Sequence, residues 1–267
     1  MRAQAALSSA AIDACCAAPL GLDIEVVADT GSTNADLLAR LDRMDRPTLL
    51  IAERQSAGRG RAGRSWLSAP GASLTFSLAW KFHGPLHNLL GLPLAVGVAL
   101  AESIGQFGVP VTLKWPNDVL KDDAKLAGIL IETRSIPGGN GDQASWAVIG
   151  IGINLLLPDA LEAKIDRPAA CAPWLAQMDR NRLMAALLTH LTNVLTQFDA
   201  DGFSAFHLRW NALHAHQGQQ VLIIDRGQVV HEGCCSGVDQ LGRLLLDTAS
   251  GRIEVVSGDV SLRPRQG

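Results

Sequence analysis

Residues 55–66 read QSAGRGRAGRSW, which sets Arg59, Arg61 and Arg64 among Gly58, Gly60 and Gly63. Glycine lets main-chain N–H groups approach an anion closely, and a guanidinium fork binds phosphate or carboxylate through paired hydrogen bonds. The segment suits a polyphosphate lying beside a carboxylate. It is not a Walker loop, because the closing Gly-Lys-Ser/Thr is absent. Its match to GxGxxG is studded with arginine and lacks the acidic partner of a dinucleotide site. The bland alternatives are a solvated basic surface loop or an RNA-binding Arg-Gly run.

Four further segments offer chemistry of a different kind. Gly31-Ser32-Thr33-Asn34 precedes a helical pattern, so Ser32 or Thr33 serves as a cap, with Thr33 to Asp36 approximating a capping box. The hydroxyls and amide left over could hydrogen-bond a neutral polar ligand. In LKWPND, Pro116 pushes Trp115 towards an extended conformation, and Asn117 and Asp118 favour a turn at the strand end. That turn is ordinary on its own, yet it also sets Lys114 against a phosphate and offers Asn117 and Asp118 to phosphate or a metal ion; Mg²⁺ commonly takes one or two carboxylates plus substrate phosphates. Lys125 opens the apolar run LAGIL, where strand-end lysines are usually solvated; beside Gly128 it could instead stabilise charge as a carboxylate attacks phosphorus. Gly150-Ile151-Gly152-Ile153-Asn154 gives floor positions without side chains followed by one amide, or simply close strand packing.

These residues need a scaffold, and the hydrophobic pattern describes one. DIEVVAD, TLLIAERQ, residues 71–80, VTLKWPND, KLAGILIETR and SWAVIGIGINLLL read as strands, with a charged turn at Asp122 and Asp123. NADLLARL and residues 89–104 read as helices, and residues 180–206 as one long packing helix. After His216 come short runs, QQVLIID, QVVHEG, RLLLD and RIEVVSG, which suggest a small all-β unit. Residues 136–143, IPGGNGDQ, read as a polar flexible loop. The expected division is an extension at 1–22, a mixed α/β catalytic unit at 23–216 and a β unit at 217–267.

Composition sets outer limits. The chain has 267 residues, 48% hydrophobic and 18% charged, enough to bury a large core. Its formal charge of −3 gives no global reason to expect nucleic-acid binding. Cys15, Cys16, Cys171, Cys234 and Cys235 show neither a disulfide framework nor zinc spacing, so a reducing cytoplasm fits best. The Ala-rich first twenty residues are broken by Asp13 and carry only Arg2 as a basic flank, unlike a secretory signal. Residues 89–100 are too short for a bilayer crossing and contain Pro93, so they are expected to form a core helix and no membrane partner is expected.

In order, GSTN, QSAGRGRAGR, KWPND, KLAGILIE and GIGIN resemble the biotin protein ligase family over residues 27–155, and the β segment ending SLRP is similar to its small C-terminal domain. The resemblance implies an α/β (α+β) fold, with a mixed β-sheet flanked by helices, related to lipoyl ligases, and a small SH3-like β-barrel. It implies a ligase that makes biotinyl-5′-AMP from biotin and ATP, with Mg²⁺, then transfers biotin to a lysine of a biotin carboxyl carrier protein. Carried over to this sequence, the biotin contacts are Ser32, Thr33, Asn34, Gln55, Arg59, Gly60, Arg61 and Lys125, with backbone from Gly128 and Ile129. The ATP or adenylate contacts are Arg61, Arg64, Trp66, Lys114, Asn117 and Asn154, with Arg263 approaching from the C-terminal unit and Asp118 the metal candidate. Lys125, Arg59 and Arg61 carry the catalysis.

The sequence departs from the family at Ala62, where some members carry another arginine; the matched core begins near residue 27, so neither the winged-helix domain of some members nor sequence-specific DNA binding is expected. The resemblance allows a homodimer through sheet edges; the residues leave the oligomeric state open. Two rivals remain: a lipoate or octanoate ligase of the same fold, and a nucleic-acid-binding regulator using the basic loop. GSTN favours a polar-headed ligand over a plain acyl chain.

Overall fold

The computed structural model describes residues 6–137, 143–165, 168–258 and 260–265. Its centre is a seven-stranded mixed sheet formed by β1 (Asp23–Thr30), β2 (Thr48–Gln55), β3 (Ser73–His83), β4 (Thr112–Lys114), β5 (Asp118–Lys121), β6 (Ala124–Pro137) and β7 (Gln143–Asn154). The strand order is β1-β2-β3-β7-β6-β5-β4, with β1 and β2 parallel and the other pairs antiparallel. Asp122 and Asp123 make the β5–β6 turn, both at positive φ (51° and 60°), the conformation that a two-residue hairpin turn of matching twist needs. The centre of the expected 136–143 loop, residues 138–142, lies outside the described residues.

Side chains alternate across a strand, and the two faces here have different uses. In β7, Ile149, Ile151 and Ile153 join the main core, while Trp146 and Val148 join a second cluster with Leu37, Leu41 and Leu50. The main core is covered by α3 (Leu92–Gly105) and α6 (Arg180–Asp201), which pack against each other. Nearly all of α3 is buried, which explains why its sequence shows no amphipathic stripe. One stretch among the described residues, Leu86–Gly105, is long and apolar enough to cross a membrane, but 67% of it is buried and it is this core helix. The opposite face carries only α2 (Thr33–Arg40), leaving the ends of β3, β6 and β7 beside it uncovered.

The ends of the chain are tied to this frame. α1 (Ser9–Cys15) buries Ile12 and packs on α6, where Asn181 accepts from the Ser8 N–H (3.0 Å) and donates to the Ala6 carbonyl (3.1 Å). Arg180, 5% exposed, pairs with Glu53 of β2 through two bonds of 2.6 and 2.9 Å. α4 (Asp159–Glu162) and α5 (Pro173–Ala176) are single turns leading into α6. The helix expected over 180–206 is broken: Gly202 adopts φ 65° and caps α6, a 3-10 turn follows, and α7 (His207–Ala212) starts afresh.

Beyond α7, β8 (Gln220–Asp225), β9 (Gln228–Val238), β10 (Leu244–Thr248), β11 (Gly251–Val255) and β12 (Val260–Pro264) form a five-stranded antiparallel sheet in the order β11-β10-β9-β8-β12. Its approach to the large sheet is fixed by hydrogen bonds. The Trp115 indole donates to the Gly242 carbonyl (3.2 Å), and Asn211 exchanges two bonds with Val238 (3.0 and 2.8 Å). β4 extends the attachment, since Leu113 bonds to Leu213 and Ala215.

Candidate active site

Register lines up two rows of residues across the uncovered face. One runs Leu50, Ser77, Gly150, Leu130; the other runs Ala52, Thr75, Gly152, Gly128, Asp118. Gly150 and Gly152 are required by what lies over them, while Gly128 faces the tip of a flexible lysine. A Cβ on Gly150 would stand 2.3 Å from Asn34 Oδ1, one on Gly152 2.1 Å from the Trp66 indole, and one on Gly128 2.8 Å from Lys125 Nζ. The glycine positions of KLAG and GIGIN thus form a floor on which two loops rest.

The first loop begins α2. Ser32 is its N-cap, accepting from the Ala35 N–H at 3.5 Å, while the expected Thr33–Asp36 capping box does not form. Asp36 accepts instead from the Thr30 hydroxyl, and the Thr33 N–H donates to Gln55 Oε1 at 2.8 Å. Capping by Ser32 releases the next two side chains to the pocket. The Thr33 hydroxyl lies 2.6 Å from Ser77 Oγ, Ser77 donates to Asn34 Oδ1 at 2.6 Å, and Asn34 Nδ2 donates to Glu132 Oε2 at 2.9 Å. Thr33, Asn34 and Ser77 are all buried.

The second loop is the arginine-glycine segment, folded as a narrow hairpin. Trp66 N–H donates to the Gly58 carbonyl (2.9 Å), Gly60 N–H to that of Arg64 (2.7 Å), and Arg59 faces Ser65. A Cβ at Gly58 would lie 2.4 Å from the Trp66 carbonyl, so the close crossing needs glycine there. The tip turns at Ala62 and Gly63, both left-handed (φ 53° and 70°). Arg59 pairs with Glu132 at 2.8 Å, and Arg61 donates to Asn117 Oδ1 at 3.1 Å and to the Gly258 carbonyl of the C-terminal unit.

These parts enclose two connected cavities. The head pocket, a narrow one, is lined by Ser32, Thr33, Asn34, Gln55, Ser77, Arg59, Gly60, Arg61, Lys125, Gly128 and Ile129, among others. The larger cleft, about 1690 Å³ and partly open to solvent, is lined by Arg61, Arg64, Trp66, Lys114, Asn117, Asp118, Lys125, Asn154, Lys164 and Arg263, among others. Trp66, Arg61 and Lys125 belong to both. Every residue named from the sequence as a biotin, nucleotide or metal contact lines one cavity or the other, whereas Gly31, Gly58, Gly63 and Ile153 line neither. Among the nucleotide-side residues, two amides are engaged within the protein: Asn154 donates to the Lys125 and Ala170 carbonyls (3.3 and 3.1 Å), and Asn117 donates to the Ile129 carbonyl (2.7 Å).

Lys125 stands at the junction. Its ammonium lies 2.5 Å from Asp118 Oδ1 and 5.9 Å from the Trp66 ring centroid. Among the described residues, Asp118 is the only carboxylate lining the large cleft, and no group of three or more metal-ligating side chains occurs.

Ser77 and Glu132 carried no role in the sequence reading. Their signal is alternation: Ser73, Thr75 and Ser77 alternate with Leu74, Phe76 and Leu78, and Glu132 shares a face of β6 with Gly128 and Leu130.

A neutral hydrogen-bonding pocket that opens through a lysine and an arginine onto a cation-lined cleft defines a ligase that activates a carboxylate with a nucleoside triphosphate. Residues 25–154 match the Biotin/lipoate A/B protein ligase family, and residues 216–263 match the Biotin protein ligase C terminal domain. The chain is 35% identical to the biotin--[acetyl-CoA-carboxylase] ligase of Mycobacterium tuberculosis, over 89% of this chain and 88% of that protein. It is 34% identical to the bifunctional ligase/repressor BirA of Escherichia coli, over 91% of this chain and 75% of that protein. Among solved structures, a biotin protein ligase from Aquifex aeolicus in complex with biotin and ATP superimposes with a TM-score of 0.74 at 28% identity, covering 91% of this chain and 99% of that one. The chain belongs to the biotin protein ligase family.

Proposed function

We infer that this protein is an ATP-dependent ligase that converts biotin to biotinyl-5′-AMP and then transfers the biotinyl group to a lysine of a biotin carboxyl carrier protein. The observation that carries this reading is the shared wall of the two cavities. A ligand with a neutral polar head in the first and a carboxylate at its far end reaches Lys125 and Arg61, where a nucleotide in the second would present its α-phosphate.

In the first step a biotin carboxylate oxygen attacks the α-phosphorus; the new P–O bond forms as the bond to pyrophosphate breaks. Lys125 and Arg61 offset the charge that builds on the phosphoryl oxygens, and Arg59 holds the carboxylate end. In the second step the neutral amine of the acceptor lysine attacks the acyl carbon, AMP leaves, and the amine gives up a proton. The arginine-glycine loop excludes water from the mixed anhydride in the interval. Mg²⁺ would arrive with the triphosphate, supplying charge neutralisation. Asp118, the one carboxylate among the described residues of the cleft, fits that use, because a single carboxylate suits an ion that keeps phosphate and water ligands. Arg64, Lys114 and Arg263 face the phosphates. Residues 23–216 form the catalytic unit and 217–267 its small partner, following an extension at 1–22. The free cysteines, including the exposed Cys15, suit a reducing compartment such as the cytoplasm.

Biotin is favoured over lipoate because Thr33, Asn34, Ser77 and Gln55 gather hydrogen-bonding groups that a plain acyl chain would leave without ligand partners. The test is calorimetric titration with biotin and with lipoate, each followed by assay of ATP-dependent pyrophosphate release. Tight biotin binding with biotin-dependent release is the expected result; a response to lipoate alone would assign the sister activity.

A further inference from the structure

Glu132 ends the hydrogen-bond chain of the head pocket and touches the arginine-glycine loop with the same oxygen. Its Oε2 accepts from Asn34 Nδ2 at 2.9 Å and from Arg59 Nη2 at 2.8 Å. An ionised carboxylate only accepts, so the Asn34 amide must turn its NH₂ towards Glu132 and its oxygen towards Ser77. Ser77 has a single proton, which it gives to Asn34 Oδ1 at 2.6 Å. The Thr33 hydroxyl, 2.6 Å away on the other side, must then donate to Ser77. Glu132, with the Leu130 carbonyl that accepts more weakly from the same Asn34 Nδ2 at 3.4 Å, thus sets the direction of the protons between Thr33 and Asn34, and turns the Thr33 hydroxyl to Ser77 in preference to Gln55 Oε1 at 3.1 Å. The same side chain also supplies the counter-charge for Arg59, whose guanidinium is 44% exposed and has no other acidic partner among the described residues.

We propose that Glu132 is a positioning residue that orients the biotin-head pocket and latches the arginine-glycine loop over it. This rests on the biotin reading given above. A cyclic urea offers two N–H donors and one carbonyl acceptor in fixed places, so a pocket whose amide and hydroxyls could reverse would meet it correctly only part of the time. Fixing the direction beforehand removes that cost from binding. The latch joins the two events: the acid that orders Asn34 for the head is also the acid that Arg59 grips from the loop.

The test is Glu132→Gln, which keeps the shape but can present either an oxygen or an NH₂ to Asn34. Biotin affinity is expected to fall about tenfold, in line with loss of a charge-assisted network, with the KM for ATP changed less than about twofold. In the ligand-free protein, tryptic cleavage after Arg61 and Arg64 is expected to speed up several-fold, read by mass spectrometry. Arg59→Ala, a change at a half-exposed side chain, should release the loop to a similar extent, and the double variant should be no faster than either single one. Unchanged biotin affinity or unchanged cleavage in Glu132→Gln would overturn the proposal. So would equal losses for biotin and ATP with a fall in Tm, which would mark Glu132 as a purely structural residue. If the unaltered protein binds no biotin, the functional reading fails, and the cleavage comparison still decides whether the latch exists.

Discussion

In the head pocket, Thr33, Ser77, Asn34 and Gln55 are already joined to one another, whereas the nucleotide cleft gathers Arg61, Arg64, Lys114, Lys125, Lys164 and Arg263 around Asp118. The first is a linked pattern of dipoles set between the start of α2 and the strands β2 and β3, and it selects by the geometry of donors and acceptors. The second is a reservoir of positive charge carried by loops and by two folded units, and it selects by charge. A ligand held only by the first has no means of reaction, and one held only by the second has no chemical identity beyond being an anion. The two cavities share a wall that includes Lys125, Arg61 and Trp66, and the proposed reaction belongs there.

The largest effect should come from the junction itself. Lys125→Ala is expected to slow biotin-dependent pyrophosphate release by about a thousandfold while biotin affinity changes only a few-fold, because the lysine acts on charge that develops in the transition state. Equal losses in both would mean that Lys125 belongs to the head pocket alone.

A second effect probes how far the cationic field reaches. His214 and His216 are buried behind Lys114, and both pKa values are lowered to about 4, chiefly by burial; the positive charge of Lys114 adds to the shift at His216. A lowered histidine pKa means that the unfolded chain takes up protons which the folded protein refuses. Stability is therefore unaffected above pH about 6.5 and falls as the pH drops from there towards about 4, by on the order of 1 kcal/mol per pH unit for each histidine. Urea unfolding at pH 7.5, 6 and 5 measures this, and a flat profile would contradict the buried neutral rings.

Smaller effects separate the two cavities. Thr33→Val keeps the shape and removes the hydroxyl that starts the proton order. Biotin affinity should weaken about five- to tenfold and the KM for ATP should stay the same, as calorimetry and initial rates would show. Raising ionic strength from about 50 to 300 mM should lift the KM for ATP by a few-fold and leave biotin affinity nearly constant, since only the cleft relies on exposed charge. Matching salt responses would erase the distinction drawn between the two cavities.

Much of this was legible in the sequence because the relevant signals are local. TLLIAERQ is a strand because its apolar run ends in charge, and GIGIN declares a side-chain-free surface by leaving it out. The Asp122-Asp123 turn and the core placement of α3 follow from similarly short patterns. What was missed depends on contacts distant in sequence. Asp36 could not serve a capping box once Thr30 claimed it, and Glu132 gained its place only when β6 lay beside α2. The break in the 180–206 helix turns on a single glycine conformation, which periodicity does not register.

Arg61 has a consequence for the birth of the molecule. Ribosomal synthesis completes the whole lining of the head pocket once Gly152 has emerged, yet Arg61 still lacks the Gly258 carbonyl, 197 residues farther along than itself. A nascent chain thus owns a ligand pocket well before its reactive loop acquires its final anchor. The emergence of Gly258, more than the completion of the pocket lining, marks the moment at which the reactive loop gains that anchor.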